Sequence, residues 1–137
     1  AYSVSDAIAN STSAPVVLNF GELYKPEIVK AQLMTNQSTC VAQLRLHLFY
    51  TSPTAINDNA QFTLLDATKD YYYGYLDFPA LSTSGTGSTG AFTQLFPEFH
   101  LNKLSNSYNL YGLLETKTAF TPASGQTFKI VLALEED

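Results

Sequence analysis

Residues 41–50 read VAQLRLHLFY and contain the most regular pattern in the chain. Apolar side chains occupy every second position of this segment. The apolar set is Ala42, Leu44, Leu46, Leu48 and Tyr50, and the alternate set is Gln43, Arg45, His47 and Phe49. Successive side chains of a strand point to opposite faces of a sheet, so a period of two predicts a β-strand with one buried side. A helix would scatter the same leucines around its whole circumference.

Apolar and β-branched segments separated by turn residues occur along the rest of the chain and predict further short strands. The predicted strands cover residues 16–20, 28–35, 71–78, 91–100, 110–116 and 128–134. Pro97 lacks an amide hydrogen and interrupts the fourth of these, which predicts an edge strand. Residues 36–39 are predicted to be a hairpin turn, and residues 121–125 the turn of a long hairpin, in which Pro122 and Gly125 favour the required backbone angles.

Three segments are predicted to lie outside the strands. Residues 51–59 are predicted to form a loop in which Asp58 or Asn59 caps a short helical turn. That turn would carry Gln61, Leu64 and Leu65. The Ser, Thr and Gly tract at residues 82–90 predicts a flexible loop tip or hairpin crossing.

This succession of short strands predicts an all-β fold, an antiparallel β-sandwich or jelly roll with one short helical turn. A chain of 137 residues suits a single domain. We place that β-sandwich domain at residues 15–137. The polar segment before it, residues 1–14, is predicted to be an N-terminal arm.

Composition and charge exclude several classes of function. Apolar residues make up 45% of the chain and aromatic residues 13%, which argues against disorder. Seven Lys and Arg residues are scattered through a chain of net charge −5, so we expect no binding to nucleic acid or to an anionic membrane surface. We expect neither a membrane span nor a secretory signal, because no apolar run has the required length or position. Cys40 is the single cysteine and excludes an intrachain disulfide.

The residues that usually carry catalysis are few and separated in sequence. His47 and His100 are the two histidines, and neither lies near Cys40 in the sequence. We therefore predict a protein that is not an enzyme, with no catalytic residue, no cofactor and no metal site. His47 is interpreted as an ordinary surface or half-buried side chain on the less apolar face of its strand.

The acidic residues of the central loops leave two interpretations open. They are Asp58, Asp66, Asp70 and Asp77. Their spacing does not match an EF-hand loop, in which the ligands lie two residues apart. They are either solvated loop carboxylates and helix caps, or ligands of a calcium ion held between two loops.

The tyrosines around residue 73 carry more information about binding. Tyr71, Tyr72, Tyr73 and Tyr75 would place large rings on both faces of one strand. The strand is then buried on both sides, forms a contact between subunits, or stacks on sugars, and tyrosine is enriched at protein interfaces. The predicted interface residues are Tyr71, Tyr73, Phe92 and Tyr2.

Three segments carry a resemblance to a known group of proteins. They are residues 58–67, residues 73–78 (YGYLDF), and residues 110–128 with their LYGLLET and AFTPASGQTF motifs. Together they resemble small virion proteins of tailed bacteriophages that act as head decoration or cement proteins. The resemblance implies a β-rich fold, a homotrimer or other small ring on the capsid exterior, the major capsid protein as partner, and no catalysis. It carries over no functional residue.

The leading hypothesis is therefore a capsid decoration protein, made in the host cytoplasm, that stabilises the assembled head by bridging major capsid protein subunits. Binding only the assembled lattice would stabilise it by mass action, and many joined copies would gain by multivalency. Residues 1–14 are the candidate for an arm that adds a strand to a neighbour's sheet. The alternative is a carbohydrate- or receptor-binding β-sandwich of a virion tail or fibre. A small enzyme on a jelly-roll scaffold is a third hypothesis.

Overall fold

The computed structural model describes residues 1–9, 18–23, 27–83, 90–101 and 108–135. These residues form ten strands and one 3-10 helix, Asp66–Tyr71. The strands are β1 (Ala7–Ile8), β2 (Leu18–Leu23), β3 (Glu27–Thr35), β4 (Leu44–Phe49), β5 (Tyr72–Asp77), β6 (Ser82–Thr83), β7 (Ala91–Leu95), β8 (Phe99–His100), β9 (Tyr108–Thr116) and β10 (Phe128–Glu135).

The strands form two five-stranded sheets in which every pairing is antiparallel. In the first sheet, β9 pairs with β4 along one edge and with β1 and β2 along the other, and β5 follows β4. In the second sheet, β3 pairs with β10 along one edge and with β7 and β8 along the other, and β6 follows β7. This confirms the all-β antiparallel sandwich, while jelly-roll connectivity stays a prediction.

The core lies between the two sheets and is built from alternate residues of the long strands. β4 contributes Leu44, Leu46 and Leu48, as the period of two predicted. Leu46 is the register partner of Leu76 on one side and of Leu114 on the other, so apolar side chains align across three strands. From the second sheet, β3 adds Ile28, Ala31 and Leu33.

The second side of β4 is buried as well, which the sequence did not predict. His47 is 4% exposed and Phe49 is 1% exposed. The connection between β4 and β5 causes this burial. It folds back over the sheet and stacks the ring of Phe62 on that of His47, and we call it the covering segment. The interpretation of His47 as an ordinary surface or half-buried side chain is therefore wrong.

Both predicted hairpins are wrong because their strands belong to different sheets. Residues 36–43 lead from β3 in the second sheet to β4 in the first. Residues 117–127 lead from β9 in the first sheet to β10 in the second. Each segment is therefore a connection across the sandwich, although Gly125 has the positive φ expected of it, at 75°.

The helical turn exists but lies later in the chain than predicted. It covers Asp66–Tyr71 and begins after Leu65, whose side chain makes no capping hydrogen bond. Asp58 cannot serve as the cap because its carboxylate accepts hydrogen bonds from Tyr2 and from the amide of Ala9.

The remaining strand predictions are mostly confirmed in position. β7 and β8 are separated at Pro97 as expected. β7 is nevertheless not an edge strand, because it pairs with β3 on one side and with the two-residue β6 on the other. Most of the predicted flexible tract, residues 84–89, lies outside the described residues. Among those that are described, no helix has the length and apolar character that a membrane crossing requires.

The described part of the predicted arm lies against its own chain. Ala7 and Ile8 pair with Glu115 and Leu114 of β9. Tyr2 forms an isolated antiparallel bridge with Phe120. Residues 10–14 lie outside the described part, so a separate arm and its exchange with a neighbouring subunit stay predictions.

Candidate functional site

The outer face of the first sheet carries a polar cluster assembled by the register of three strands. β4 lies between β5 and β9, so Arg45 has Asp77 on one side and Glu115 on the other. His47 is aligned in the same way with Tyr75 on β5. We call this group the β4 polar cluster, and it consists of Arg45, His47, Tyr72, Tyr75, Asp77 and Glu115.

His47 forms the enclosed half of the β4 polar cluster. Its Nδ1 lies 2.8 Å from the Tyr72 hydroxyl, and its Nε2 lies 2.7 Å from Oε1 of Glu115. The ring of Phe62 stacks on the imidazole with centroids 3.8 Å apart and planes 10° apart. The imidazole is therefore held at both nitrogens and covered on one face.

The protonation states in this half follow from burial. Burial lowers the pKa of His47 below its usual value, outweighing the opposite effect of the hydrogen bond to Glu115. Burial also raises the pKa of Tyr72 to about 12. A neutral His47 then accepts a hydrogen bond from the Tyr72 hydroxyl at Nδ1 and donates from Nε2 to Glu115. Each polar group of the chain Tyr72–His47–Glu115 has a partner, so these hydrogen bonds link β5, β4 and β9 across the sheet. The Phe62 ring packs on this chain from the connection between β4 and β5.

Arg45 forms the exposed half of the cluster with Tyr75 and Asp77. Its Nε and Nη2 donate to the two carboxylate oxygens of Asp77 at 2.6 and 3.0 Å. These hydrogen bonds lower the pKa of Asp77. The guanidinium carbon lies 3.8 Å from the centre of the Tyr75 ring, and Tyr75 remains 47% exposed. The result is a fixed aromatic ring with a paired Arg and Asp beside it, suited to stacking against a ligand.

The outer face of the second sheet is a second candidate for binding. Met34 on β3 is aligned with Phe92 of β7 and Lys129 of β10, and Gln32 is aligned with Gln94 and Val131. We call Gln32, Met34, Phe92, Gln94 and Val131 the open face. Among the described strands and the 3-10 helix, none packs over it. Apolar and amide side chains thus lie side by side on the outer face of this sheet.

A cavity of about 270 Å³ lies where the two connections between the sheets meet. Its lining includes Cys40, Val41 and Ala42 from one connection and Ala119 and Phe120 from the other. Val41 is strongly exposed at this point. The lining is mostly apolar, so the cavity suits a single apolar side chain better than a charged ligand.

The four predicted interface residues do not form one surface. Tyr71 and Tyr73 both contact Tyr50, with ring centroids 6.0 and 5.2 Å apart. Tyr2 stacks on Phe120 at 5.0 Å, near the N-terminus. Only Phe92 belongs to the open face. The four residues therefore lie in three places, and their role as contacts stays a prediction.

The acidic residues of the central loops are also separated. Asp58 is bonded to Tyr2, Asp66 lies 3.6 Å from the Lys69 amine, and Asp77 is paired with Arg45. A search of the described part of the chain finds no group of three or more His, Cys, Asp or Glu side chains able to hold a metal ion. The calcium alternative therefore stays a prediction.

Sequence reasoning missed the hydrogen-bonded chain of Tyr72, His47 and Glu115. His47 is 25 residues from Tyr72 and 68 from Glu115 in sequence. The one signal in the sequence is that Arg45 and His47 interrupt the apolar side chains on one face of β4. Knowing their partners requires the register of β5 and β9, which no local pattern contains.

Comparison with known proteins identifies no match for this chain. No protein-family model, curated protein or solved structure matches the chain. The resemblance to phage head proteins therefore rests on the sequence segments quoted above.

Proposed function

We propose that this chain is a non-catalytic virion protein that decorates the exterior of an assembled bacteriophage head. It would stabilise the head by bridging neighbouring copies of the major capsid protein. The observation that supports this proposal best is the open face. The sequence resemblance gives the partner its identity, and the open face gives a surface on which such a partner would sit.

The open face has the composition of a protein contact surface. Phe92 and Met34 are register partners at its middle, and aromatic residues and Met are enriched at protein interfaces. Gln32 and Gln94, also register partners, place amide groups beside the apolar side chains. Such groups would hydrogen-bond to a partner without carrying a charge that has to be desolvated.

The packing of the sandwich supports a rigid, preorganised contact. On the first sheet, the ring of Phe62 stacks on His47, and the hydrogen bonds of His47 link β4 to β5 and β9. The two sheets share one apolar core that includes Leu33 and Leu46. A rigid surface loses little conformational entropy on binding, so more of the contact energy appears as affinity.

Mass action would then produce the stabilisation. A protein that binds the assembled shell but not its separated subunits shifts the equilibrium toward the shell. The net charge of −5 suits an exterior protein that has to stay soluble and avoid nucleic acid. Many copies on one particle would increase the total effect without requiring high affinity at any single site.

A rebinding experiment tests the proposal at the open face. Heads lacking the protein are mixed with the wild-type chain or with Phe92→Ser, and bound protein is measured after co-sedimentation. We expect the wild type to sediment with the heads and Phe92→Ser to bind at least about tenfold more weakly, as loss of an aromatic anchor predicts. Leu65→Ser is the matched control, because Leu65 is exposed outside the open face.

Two results would contradict the proposal, the first its function and the second its contact surface. One is the absence of the chain from purified particles, or its presence in far fewer copies than the shell protein. The other is equal binding of wild type and Phe92→Ser to the heads, which would remove the open face as the contact.

A carbohydrate-binding role is a second candidate, supported by the exposed half of the β4 polar cluster. Arg45 covers one side of the Tyr75 ring, and Asp77 offers carboxylate oxygens beside it. Aromatic stacking together with carboxylate acceptors is a chemistry suited to sugar hydroxyls. A glycan array tests this candidate. Binding by the wild type that is lost in Tyr75→Ala supports it, and absence of binding by the wild type refutes it.

A further inference from the structure

Among the described strands, β10 lies at the end of the second sheet and pairs along one edge only. It runs over eight residues, Phe128–Glu135, and among the described strands it pairs only with β3. A terminal strand presents backbone N–H and C=O groups that are able to pair with another strand. Proteins usually protect such an edge with short strands, Pro or several charges. β10 is long, has no Pro and carries only Lys129 and Glu135 as charges.

The side chains of β10 also indicate an incomplete layer. Its inward side chains, among them Ile130 and Leu132, pack against the core but remain half-buried. On the neighbouring β3, Ile28 and Leu33 are fully buried. The apolar layer therefore thins toward β10, and one more strand beyond it would complete the burial.

We propose that the strand beyond β10 is β10 of a second copy of this chain, paired antiparallel about a two-fold axis at Leu132. In such a pairing, Leu132 of each copy lies opposite Leu132 of the other. Ile130 then lies opposite Leu134, and Val131 opposite Ala133. Inward side chains meet inward side chains, so the two cores become continuous across the axis.

Charge complementarity favours this register over the one with its axis at Val131. With the axis at Leu132, Lys129 lies opposite Glu135 of the partner subunit, on the outer face of the joined sheet. Because the dimer is symmetric, this attraction occurs twice. A shift of the axis to Val131 would place Lys129 opposite Ala133 and Glu135 opposite Thr127, and both charges would lose their partner.

The charges within one chain favour the same arrangement. Glu135 lies directly opposite Glu27 in the pairing of β10 with β3, and like charges in this position are destabilising. Lys129 lies opposite the uncharged Met34. Within the described chain, neither Lys129 nor Glu135 makes an ion pair. A lysine from a second copy would therefore give Glu135 a partner of opposite charge.

The pairing has a consequence for the open face. An axis perpendicular to the sheet places the open faces of both copies on the same side, so one dimer would present a flat surface of doubled area. The two-fold closes on itself, which gives a dimer in place of the three-fold ring that the sequence resemblance implies. This inference concerns self-association alone and does not depend on binding to a phage head.

Charge reversal tests the register directly. Sedimentation velocity over a wide range of protein concentration gives the dimer dissociation constant of wild type, Lys129→Glu, Glu135→Lys and the double variant with both changes. Each single reversal places like charges opposite each other twice, so we expect dimerisation to weaken by about tenfold. The double variant restores both attractions and should return close to the wild-type constant.

Lys69→Glu is the matched control, because Lys69 is exposed on the 3-10 helix and undergoes the same change of charge. Lys129 and Glu135 are both exposed, so the variants should keep the wild-type circular dichroism spectrum. A wild-type chain that stays monomeric overturns the proposal. An oligomer of any size whose dissociation constant is unchanged by both single reversals also overturns it. So does a double variant that dimerises no more tightly than the single variants.

Discussion

At His47, burial and hydrogen bonding act against each other. Burial lowers its pKa, while the hydrogen bond to Glu115 alone would raise it. The net lowering keeps the imidazole neutral between the Tyr72 hydroxyl and the Glu115 carboxylate. Protonation would replace the acceptor at Nδ1 with a donor that faces the Tyr72 hydroxyl, and it would place a charge beneath Phe62.

We predict that His47 makes the fold less stable in mild acid. A histidine whose pKa is lowered on folding stabilises the native state above its unfolded pKa, near 6.5, and this contribution is lost as pH falls. From pH 7.5 to 5.5, wild type should lose unfolding free energy through this residue, by about 1 kcal/mol. Urea unfolding at the two pH values measures the loss.

His47→Gln should remove this part of the pH dependence and lower the unfolding free energy at pH 7.5 by about 2 kcal/mol, because a buried hydrogen-bonded group is replaced. His100→Gln, at the other histidine, controls for the loss of a histidine elsewhere in the chain. Equal pH dependence in wild type and His47→Gln would show that His47 is not the titrating group.

The residue scale is also where prediction from sequence is weakest. The alternation in residues 41–50 identified which side chains of β4 face the core, because that depends only on local geometry. It did not identify the burial of His47, because the covering ring, Phe62, comes from a segment with no periodic pattern. Distant partners such as Glu115 follow from strand register, which is a tertiary property.

At the scale of elements, the connection before β7 depends on one glycine. Gly90 has a φ of +80°, in the left-handed region, and a Cβ on it would lie 2.4 Å from the backbone carbonyl oxygen of Thr35. Thr35 ends β3 and is the register partner of Ala91. Because a backbone oxygen of a paired strand cannot move away easily, a side chain at Gly90 would disturb the pairing of β3 with β7.

We predict that Gly90→Ala lowers the unfolding free energy by about 3 kcal/mol or more, from backbone strain and the clash together. Gly125→Ala is the matched control, because Gly125 has a φ of +75° but nothing within 4 Å of the added Cβ. It should cost only about 1 kcal/mol, from the backbone conformation. Similar losses for the two variants in urea unfolding would show that the contact with Thr35 is relieved at little cost.

The elements also show why strands are easier to predict than their partners. β4, β9 and β10 were each expected within a few residues of their bounds, because period-two apolar patterns are local. The hairpins expected around residues 36–39 and 121–125 were wrong. Turn residues indicate a change of direction, but they do not indicate whether the next strand joins the same sheet or crosses the sandwich.

At the scale of the whole molecule, the N-terminus closes the first sheet. β1 lies along the edge of β9, and the amide of Phe62 donates to the carbonyl of Ser5. The Tyr2 hydroxyl donates to Asp58 at 2.5 Å, and burial together with this bond raises the pKa of Tyr2. Residues 1–9 thus hold the edge of the sheet and the connection that carries Phe62 together.

Deletion of residues 1–9 should therefore destabilise a single chain. It removes the pairing of β1, the stack of Tyr2 on Phe120 and both hydrogen bonds to Asp58. We expect a loss of about 3 kcal/mol of unfolding free energy, or about 10 °C in Tm, independent of protein concentration.

An arm exchanged between copies would behave differently. Its deletion would lower the oligomer size, and the Tm of the intact chain would rise with protein concentration. Differential scanning calorimetry and sedimentation of the same samples distinguish these two outcomes. Val4→Ser is the control, because Val4 is strongly exposed and its substitution changes the N-terminus without removing any of these contacts.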